Sequence, residues 1–485
     1  MQNPASTQRP SLALLFITLV AALLSACVHF PTHPQLVALA SAPSGAILIH
    51  DVRLFRGTST SAQEHMDVLI SAGRISDVHA IDEGARTPPP PDVQLIDGRG
   101  LTLLPGLIDL HAHLTMVATP PWYLTTPQPA HNAEAHIYSG VTTLLDAGGD
   151  PDAILALQKK IVGHAQVGPR IYFAGQLLTA PGGYPLNMIA LYGKLATWSL
   201  EGSHVRGLTT VAQVEAEVDR LHELGASFIK LAIATVPPSG SPRLTDEQIA
   251  AAVKRAHGHG QRVLAHIDSI ADALLCARLG VDLLAHGIEA SAVTDAEANE
   301  LAASGIRMEP TLVNWERFDE IVSGHYVGSQ LERETQPVGI IDSFNDAELA
   351  AHRNLLAGSA FESWAVELKT YQAQRAINLM KLRAAGVPIY VGSDSQGSIA
   401  TFPGSLHDEL KLQVEAGIPA GEVLLAATGR AAAFLDPHAE FGTIETGKLA
   451  DLLLVRGNPL EQISSTRDIA QVYIRGVAVE RTPPK

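Results

Sequence analysis

Two histidines separated by one residue, His111 and His113, end the apolar run LPGLIDLHAHL. Alternate side chains of a β-strand share a face, so both rings would point to the same side. Imidazole is a common ligand of Zn²⁺ and related cations, although a His-x-His pair is weak evidence for a metal site by itself. The alternative is two unrelated histidines in a buried strand. The pair therefore needs support from elsewhere in the chain.

Lys230, in the strand-like segment FIKLAIA, supplies the first support. A lysine is almost never fully buried without a partner, because desolvating its ammonium group is costly. Its long side chain could reach solvent, or it could pair with an acidic residue. We favour a third interpretation, in which the amine has reacted with carbon dioxide. The resulting carbamate has two oxygens that can bridge two divalent cations.

Three further side chains would complete such a site. His266 and His286 lie in the apolar segments RVLAHI and DLLAHG, at an interval that fits one helix and the return to the next parallel strand. Asp394 lies in YVGSDS, where an isolated aspartate could instead cap the following helix. We predict one Zn²⁺ on His111, His113 and Asp394, a second on His266 and His286, and the Lys230 carbamate between them.

Divalent cations held in this way lower the pKa of bound water towards about 7 and polarise a carbonyl group, so that hydroxide can attack at neutral pH. Asp394 would accept the proton and return it to the leaving nitrogen. The expected reaction is hydrolysis of the C–N bond of a small amide, with dipeptides or N-acyl amino acids as preferred substrates. A lactonase, another esterase or a cyclic-ring hydrolase would use the same centre. A non-catalytic, lipid-anchored binding protein is the alternative of another class.

Eight apolar strand candidates carry these residues and alternate with helical segments over residues 105–436. That alternation predicts parallel strands joined by helices, which with eight strands form a (β/α)₈ TIM barrel, an α/β fold. Active sites of such barrels lie at the carboxyl ends of the strands, where the candidate ligands fall. The strand candidates are LIDLHAH, VTTLLDAG, RIYFAGQLL, SFIKLAIA, QRVLAHI, VDLLAHG, IRMEPTL and PIYVGSDS.

Short strand-like segments flank the barrel at residues 46–104 and 437–485, with turn residues between them. We expect them to form one small β-sandwich domain built from both terminal segments. Residues 313–375, after the seventh strand, are longer than a connection requires and are predicted to form a helical lid. The lid contains four weak candidates for substrate contact, no stronger than surface residues: Trp315, Arg317, His325 and Tyr326.

Residues 1–26 contain the apolar segment SLALLFITLVAALL and are predicted to be an export signal. The adjoining LSAC resembles the bacterial lipoprotein signal, in which Cys27 is acylated and becomes the new N-terminus; an ordinary signal peptide is the alternative. Residues 27–45 are then a tether. The expected location is the periplasmic side of the outer membrane of a Gram-negative bacterium. With Cys27 acylated, the only other cysteine, Cys276, is expected to be a buried apolar residue.

The composition of the 485-residue chain is that of a globular protein, with 46% hydrophobic and 17% charged residues. Its formal net charge of −16 argues against a nucleic-acid surface. The expected partners are therefore a small-molecule substrate and, through the lipid, a membrane. The oligomeric state is left open, with a homo-oligomer as one option.

The chain resembles the amidohydrolase superfamily, and most of all its imidazolonepropionase-like and metal-dependent dipeptidase-like members. The resemblance spans residues 46–479 and includes IDGRGLTLLPGLIDLHAHL, GVTTLLDAGG, GPR, the ligand strands and GTIETGKLADLLLVRGNPL. It implies a mononuclear or binuclear metal hydrolase with a β-sandwich built from the two termini. Imidazolonepropionases lack the bridging lysine, so Lys230 favours the binuclear, carbamate-bridged type.

Two positions depart from the pattern of that family. Ala285 stands where relatives often have Glu before the sixth-strand histidine, so support for the ligands must come from elsewhere. Tyr184, in TAPGGYP, stands where relatives often have His; it could hydrogen-bond a developing oxyanion or merely end a turn. Asp109, deeper on the face that carries His111 and His113, is expected to support the site rather than bind metal.

Overall fold

The computed structural model describes residues 28–29, 34–41, 45–81, 93–120, 123–190, 200–234, 241–289, 291–337, 339–344 and 373–483. The predicted export signal and Cys27 lie outside these ranges. Among the helices of the described ranges, none is both long enough and apolar enough to cross a membrane.

The strands belong to a barrel and to a separate β-rich domain. In chain order they are β1 (Val28–His29), β2 (Val37–Leu39), β3 (Ile47–Leu54), β4 (Gln63–Ser71), β5 (Arg74–Ala80), β6 (Gln94–Asp97), β7 (Leu101–Pro105), β8 (Leu107–Ala112), β9 (Leu124–Thr125), β10 (Val141–Asp146), β11 (Arg170–Phe173), β12 (Leu177–Thr179), β13 (Val205–Gly207), β14 (Phe228–Ala232), β15 (Arg262–His266), β16 (Leu283–Ala285), β17 (Arg307–Glu309), β18 (Leu452–Arg456), β19 (Ile469–Ile474) and β20 (Val477–Arg481).

The barrel wall consists of parallel strands in the predicted order. β10 pairs with β8 and β11, while β14, β15, β16 and β17 follow one another in a second sheet. The amide of Ser227 donates a hydrogen bond of 3.0 Å to the carbonyl of Phe173, which links the two sheets before β14. The predicted (β/α)₈ barrel is therefore confirmed.

The eighth wall segment, predicted as the strand PIYVGSDS, is not a continuous strand. It contacts β17 through a bridge between Met308 and Ile389, and β8 through a bridge between Ala112 and Ser395. The backbone turns between these bridges, because Asp394 has a left-handed φ of 52°. A strand ladder cannot continue through that conformation. The segment still closes the barrel, but its carboxyl end is shaped by Asp394.

The helices lie outside the barrel, and several begin with side-chain caps. Thr210, Thr245 and Thr294 each form a capping box with the residue three positions later. The helices are α1 (Pro129–Tyr138), α2 (Pro151–Val162), α3 (Leu186–Ile189), α4 (Val211–Glu223), α5 (Asp246–Gly258), α6 (Ile270–Leu279), α7 (Asp295–Ser304), α8 (Leu312–Ser323), α9 (Gln330–Thr335), α10 (Leu406–Glu415), α11 (Ala420–Ala426) and α12 (Gly429–Leu435). Residues 373–385 are also helical.

The β-rich domain combines strands from both ends of the chain, as predicted. Its strand order is β2-β20-β19-β18-β7-β3-β4-β5, and β6 pairs with β3. The antiparallel pairing of β7 with β18 joins the two terminal segments. Ile49, Val68, Leu103 and Leu452 are fully buried in its core. This is the small β-sandwich domain of the expected fold class.

A single residue, Gly106, separates β7 of the sandwich from β8 of the barrel. A Cβ atom at this position would lie only 2.1 Å from the hydroxyl oxygen of Thr142 on β10, so a side chain cannot be accommodated without rearrangement. The two domains are thus joined without a linker. The pairing of β7 therefore helps to fix where the first barrel strand begins.

The predicted tether, residues 27–45, is partly attached to the body of the protein. β1 pairs with β9, and β2 pairs with β20. Leu36 and Val37 are buried, and the Leu36 amide donates a hydrogen bond of 2.8 Å to the Glu134 carboxylate. The predicted tether therefore differs from a free linker, because its two apolar residues are removed from water where they pack against the body of the protein.

The predicted lid begins with α8 and α9, and residues 345–372 lie outside the described ranges. Two of its four candidate residues are not surface residues. Tyr326 is fully buried, and Arg317 is buried between Glu332 at 3.1 Å and Asp408 at 2.5 Å. Such a buried cation is retained only with carboxylate partners, which sequence alone did not reveal.

Candidate metal centre and active site

The carboxyl ends of five wall segments bring together the six side chains predicted to bind metal. They line one cavity of about 230 Å³, and five of them are buried while His266 is half-buried. His111 belongs to β8 and His113 follows it; Lys230 lies on β14 and His266 ends β15; His286 follows β16, and Asp394 lies in the eighth wall segment.

Asp394 lies at the centre of these contacts. Its Oδ1 atom is 3.3 Å from His111 Nε2 and 2.9 Å from His113 Nε2. The ligand atoms of His111, His286 and Asp394 all lie within 4.8 Å of one another, as expected of groups that can share a cation. Asp394 therefore contacts both predicted partners of the first cation, while the ligand atom of His286, which we assigned to the second, lies within 4.8 Å of those of His111 and Asp394.

Lys230 and His266 complete the cluster. Lys230 Nζ is 3.3 Å from His111 Nε2. The ring centroids of His266 and His286 are 4.2 Å apart, and those of His111 and His286 are 5.0 Å apart. The lysine thus lies beside the histidine of the first strand, while the two histidines of the fifth and sixth strands contact each other.

Three imidazole rings are oriented by a polar contact at their Nδ1 atoms. His111 Nδ1 is 2.5 Å from Glu309 Oε1, His113 Nδ1 is 2.6 Å from the Gly148 carbonyl, and His286 Nδ1 is 2.6 Å from the Thr311 hydroxyl. A carbonyl oxygen only accepts, so His113 must carry a proton on Nδ1, which leaves Nε2 as the ring atom that faces Asp394. Nδ1 held in this way is typical of metal-binding histidines.

The electrostatics of the cavity disfavour positive charge on most of the predicted ligands, whereas the contact with Asp394 raises the pKa of His113 against the effect of burial. Burial lowers the pKa of Lys230 to about 8, against the opposing effects of Glu309 and Asp394. Burial and the proximity of Lys230 lower the pKa of His111 and His266 well below the usual histidine value. Neutral imidazoles beside a carboxylate are the ligands that Zn²⁺ prefers, so the donor set fits a divalent cation.

Two buried polar groups support the end of the eighth segment. Asn314 Nδ2 donates a hydrogen bond of 2.6 Å to Asp394 Oδ2, which leaves Oδ1 facing the histidines. Asp109 accepts hydrogen bonds from the Ser393 hydroxyl at 2.5 Å and from the His111 amide at 3.0 Å. Asp109 thus contacts the backbone and side chains around the ligands, as expected of a supporting residue.

Glu309, Thr311 and Asn314 were not identified from sequence, and all three lie in or just after β17. That segment, IRMEPTL, was recognised only as a strand. One signal was available: Glu309 is an acidic residue in a strand that other elements cover on both faces. The same reasoning singled out Lys230. Glu309 also pairs in register with Ala285, so it supplies a carboxylate on the strand next to the position that lacks one.

The remaining wall of the cavity is largely apolar. Tyr184 lines it as well, with its ring centroid 4.4 Å from that of His266. Burial raises the pKa of Tyr184, so its hydroxyl stays protonated and can donate a hydrogen bond. The lid candidates Trp315, Arg317, His325 and Tyr326 are not among the residues lining this cavity. The apolar lining comprises Met116, Leu177, Pro185, Ile189, Leu200 and Val205.

Comparisons with known proteins agree with this architecture. An uncharacterized protein of Mycobacterium tuberculosis is 26% identical over 378 residues, which are 77% of this chain and 84% of that protein. A solved Xaa-Pro dipeptidase with bound methionine has a TM-score of 0.68 at 23% identity, covering 90% of this chain and 100% of that one. A putative prolidase from Bifidobacterium longum has a TM-score of 0.67 at 24% identity, covering 91% and 96% respectively.

The two solved structures show a shared fold, and the family follows from sequence. The profile described as the amidohydrolase family matches residues 102–479, well over half of the chain. Enzymes of this family use a divalent metal centre, which agrees with the cluster of His111, His286 and Asp394. The chain therefore belongs to the amidohydrolase family and is a metal-dependent hydrolase that acts on carbon–nitrogen bonds.

Proposed function

We propose that the chain hydrolyses the amide or peptide bond of a small substrate with an apolar side chain or acyl group. The observation that carries this proposal is the convergence of oriented histidines, Lys230 and Asp394 on one cavity with an apolar wall. Dipeptides and N-acyl amino acids are the first substrates to test, and the similarity to a Xaa-Pro dipeptidase and a prolidase supports that choice.

The residues that would hold two Zn²⁺ ions are those of the cluster. His111, His113 and Asp394 would hold one ion. His266 and His286 would hold the other, with a carbamate on Lys230 between the two. When bound, the ions supply an activated water and polarise the carbonyl group of the substrate.

Asp394 is the proposed proton carrier. Its Oδ2 accepts a hydrogen bond from Asn314, so Oδ1 is the atom available to accept a proton from the attacking water. The same carboxyl group then donates that proton to the leaving nitrogen, which makes the amine a better leaving group. Tyr184, kept neutral by burial, is proposed to donate a hydrogen bond to the carbonyl oxygen as negative charge develops there.

A substrate panel tests this proposal. The zinc-loaded protein is assayed with dipeptides and N-acyl amino acids that carry apolar or acidic side chains, and with lactones. We expect cleavage of the apolar amides, and a loss of about 10²–10⁴-fold in kcat for Asp394→Asn at unchanged folding. The surface variant Asp246→Asn serves as the control. Cleavage of lactones alone, or full turnover by Asp394→Asn, would contradict the proposal.

We also propose that the protein is exported and anchored to the outer membrane by a lipid on Cys27. The sequence LSAC after the apolar segment supports this proposal. Metabolic labelling with a radioactive fatty acid tests it: the wild type should be labelled and Cys27→Ser should not. Equal labelling of both proteins, or of neither, would contradict it.

A further inference from the structure

Glu309 contacts a predicted metal ligand without reaching the cavity itself. It ends β17, its side chain is fully buried, and Oε1 lies 2.5 Å from His111 Nδ1. The imidazole ring of His111 separates it from Lys230 and Asp394, which contact the opposite nitrogen of that ring. The contact of Glu309 with the predicted ligands is therefore its hydrogen bond to His111.

The space for this carboxylate is created by a glycine on the eighth wall segment. A Cβ atom on Gly392 would lie 2.8 Å from Glu309 Oε2 and 2.7 Å from the Cβ atom of His111. A side chain at this position would therefore displace either the carboxylate or the ring. Glycine lets the two groups meet inside the barrel.

The position of Glu309 is unfavourable for stability taken alone. Its Oε2 atom is buried, and it has no hydrogen-bond partner among the described residues. A buried polar atom without a partner costs about 1–3 kcal/mol, and more when it is charged. Places where a chain departs from the rules of stable packing are often functional. A role in the metal site accounts for this arrangement better than a contribution to folding.

The three oriented rings have partners of different charge. His113 is held by a backbone carbonyl and His286 by a hydroxyl, both neutral, whereas His111 is held by the carboxyl group of Glu309. A carboxylate that accepts the Nδ1 proton makes the imidazole a stronger donor through Nε2. Of these three histidines, His111 is thus the one whose acceptor can carry a negative charge, although burial raises the pKa of that carboxyl group well above its usual value.

We propose that Glu309 is a positioning residue that makes the two metal sites unequal, so that the cation on His111 is bound more tightly than the cation on His266 and His286. This inference rests on the proposed two-cation site. It predicts that the ions leave in order during chelation, with the ion on His266 and His286 leaving first.

Zinc titration against a chromophoric chelator tests the inference on the intact protein. The wild type should give two stepwise affinity constants. Glu309→Leu should lower the tighter constant by about 10–100-fold and leave the weaker constant unchanged within about threefold. Glu309→Gln keeps an amide oxygen that can accept from His111 Nδ1 and loses only the charge. Its tighter affinity constant should therefore fall less than that of Glu309→Leu. Glu309→Gln is also the variant to measure if Glu309→Leu does not fold.

Glu409→Gln is the matched control, because Glu409 is also fully buried but bonds the Val313 amide and Gln413 instead of a histidine. Its zinc constants should equal those of the wild type. The role of Glu309 would be overturned if both Glu309 variants kept the affinity constants of the wild type. It would also be overturned if both constants fell equally in the Glu309 variants and in Glu409→Gln. A wild type that binds no zinc would instead overturn the proposed metal site.

Discussion

Lys230 illustrates how a single residue can be informative when its type conflicts with its surroundings. It lies between apolar neighbours on β14 and is almost completely buried, yet its Nζ contacts His111 rather than a carboxylate of its own strand. The proposed carbamate would account for an amine in that position, because its oxygens could bind two cations. The same reasoning applies to each histidine at the end of an apolar strand.

We predict that Lys230→Met lowers the zinc content from about two ions per chain to about one or fewer, because the group between the two cations is lost. The measurement is elemental analysis of the purified protein after dialysis. Lys254→Met, which changes an exposed lysine on α5, should keep the zinc content of the wild type. Two retained ions in Lys230→Met would show that the lysine does not bridge.

The site residues that sequence identified share one property, which two of the residues it missed, Thr311 and Asn314, lack. His266, His286 and Asp394 stand out because they end apolar segments. Thr311 directly precedes α8 and Asn314 lies in the first turn of that helix, where polar residues are common, so nothing in their local sequence marks them. Their roles depend on contacts with residues far away in the sequence, since Asn314 bonds Asp394 and Thr311 bonds His286.

At the scale of the elements, Gly106 is the position where packing is most restrictive between the two domains. We predict that Gly106→Ala destabilises the protein by about 1–3 kcal/mol, because the added methyl group must displace Thr142. Urea denaturation followed by circular dichroism measures the change.

Gly258→Ala is the control for that measurement, since Gly258 ends α5 and a Cβ atom there would meet no atom within 4 Å. Replacing a helical glycine by alanine should leave stability equal or slightly higher. Equal unfolding of Gly106→Ala and the wild type would show that β10 can move away from the junction.

Helices and most strands could be predicted because their signals are local. The threonine caps of α4 and α5 and the apolar runs of β14 and β15 fix those elements within a few residues. The eighth segment could not be predicted in the same way, because the left-handed turn at Asp394 is imposed by contacts with β8, including a hydrogen bond of 2.7 Å from the Asp394 amide to the His111 carbonyl.

At the scale of the whole molecule, the described part of residues 27–45 contributes to stability. We predict that a chain beginning at Pro34, which loses only the two-residue pairing of β1 with β9, unfolds at nearly the same urea concentration as one beginning at Cys27, whereas a chain beginning at Ala46 is less stable. The shorter chain loses the burial of Leu36 and Val37, about 1.5–3 kcal/mol for each side chain, and the pairing of β2 with β20. Equal midpoints for the two truncated chains would contradict this prediction.

The direct junction at Gly106 also bears on the order in which the enzyme is assembled during synthesis. The strand that carries His111 continues from β7, and β7 is flanked by β18, whose residues are translated long after those of β7. The sheet that holds β7 therefore stays incomplete until the residues of β18 have been translated. A nascent chain that still lacks residues 452–481 would have every predicted ligand. The pairing of β7 with β18, which helps to fix the position of β8 and thus of His111 and His113, would not yet have formed.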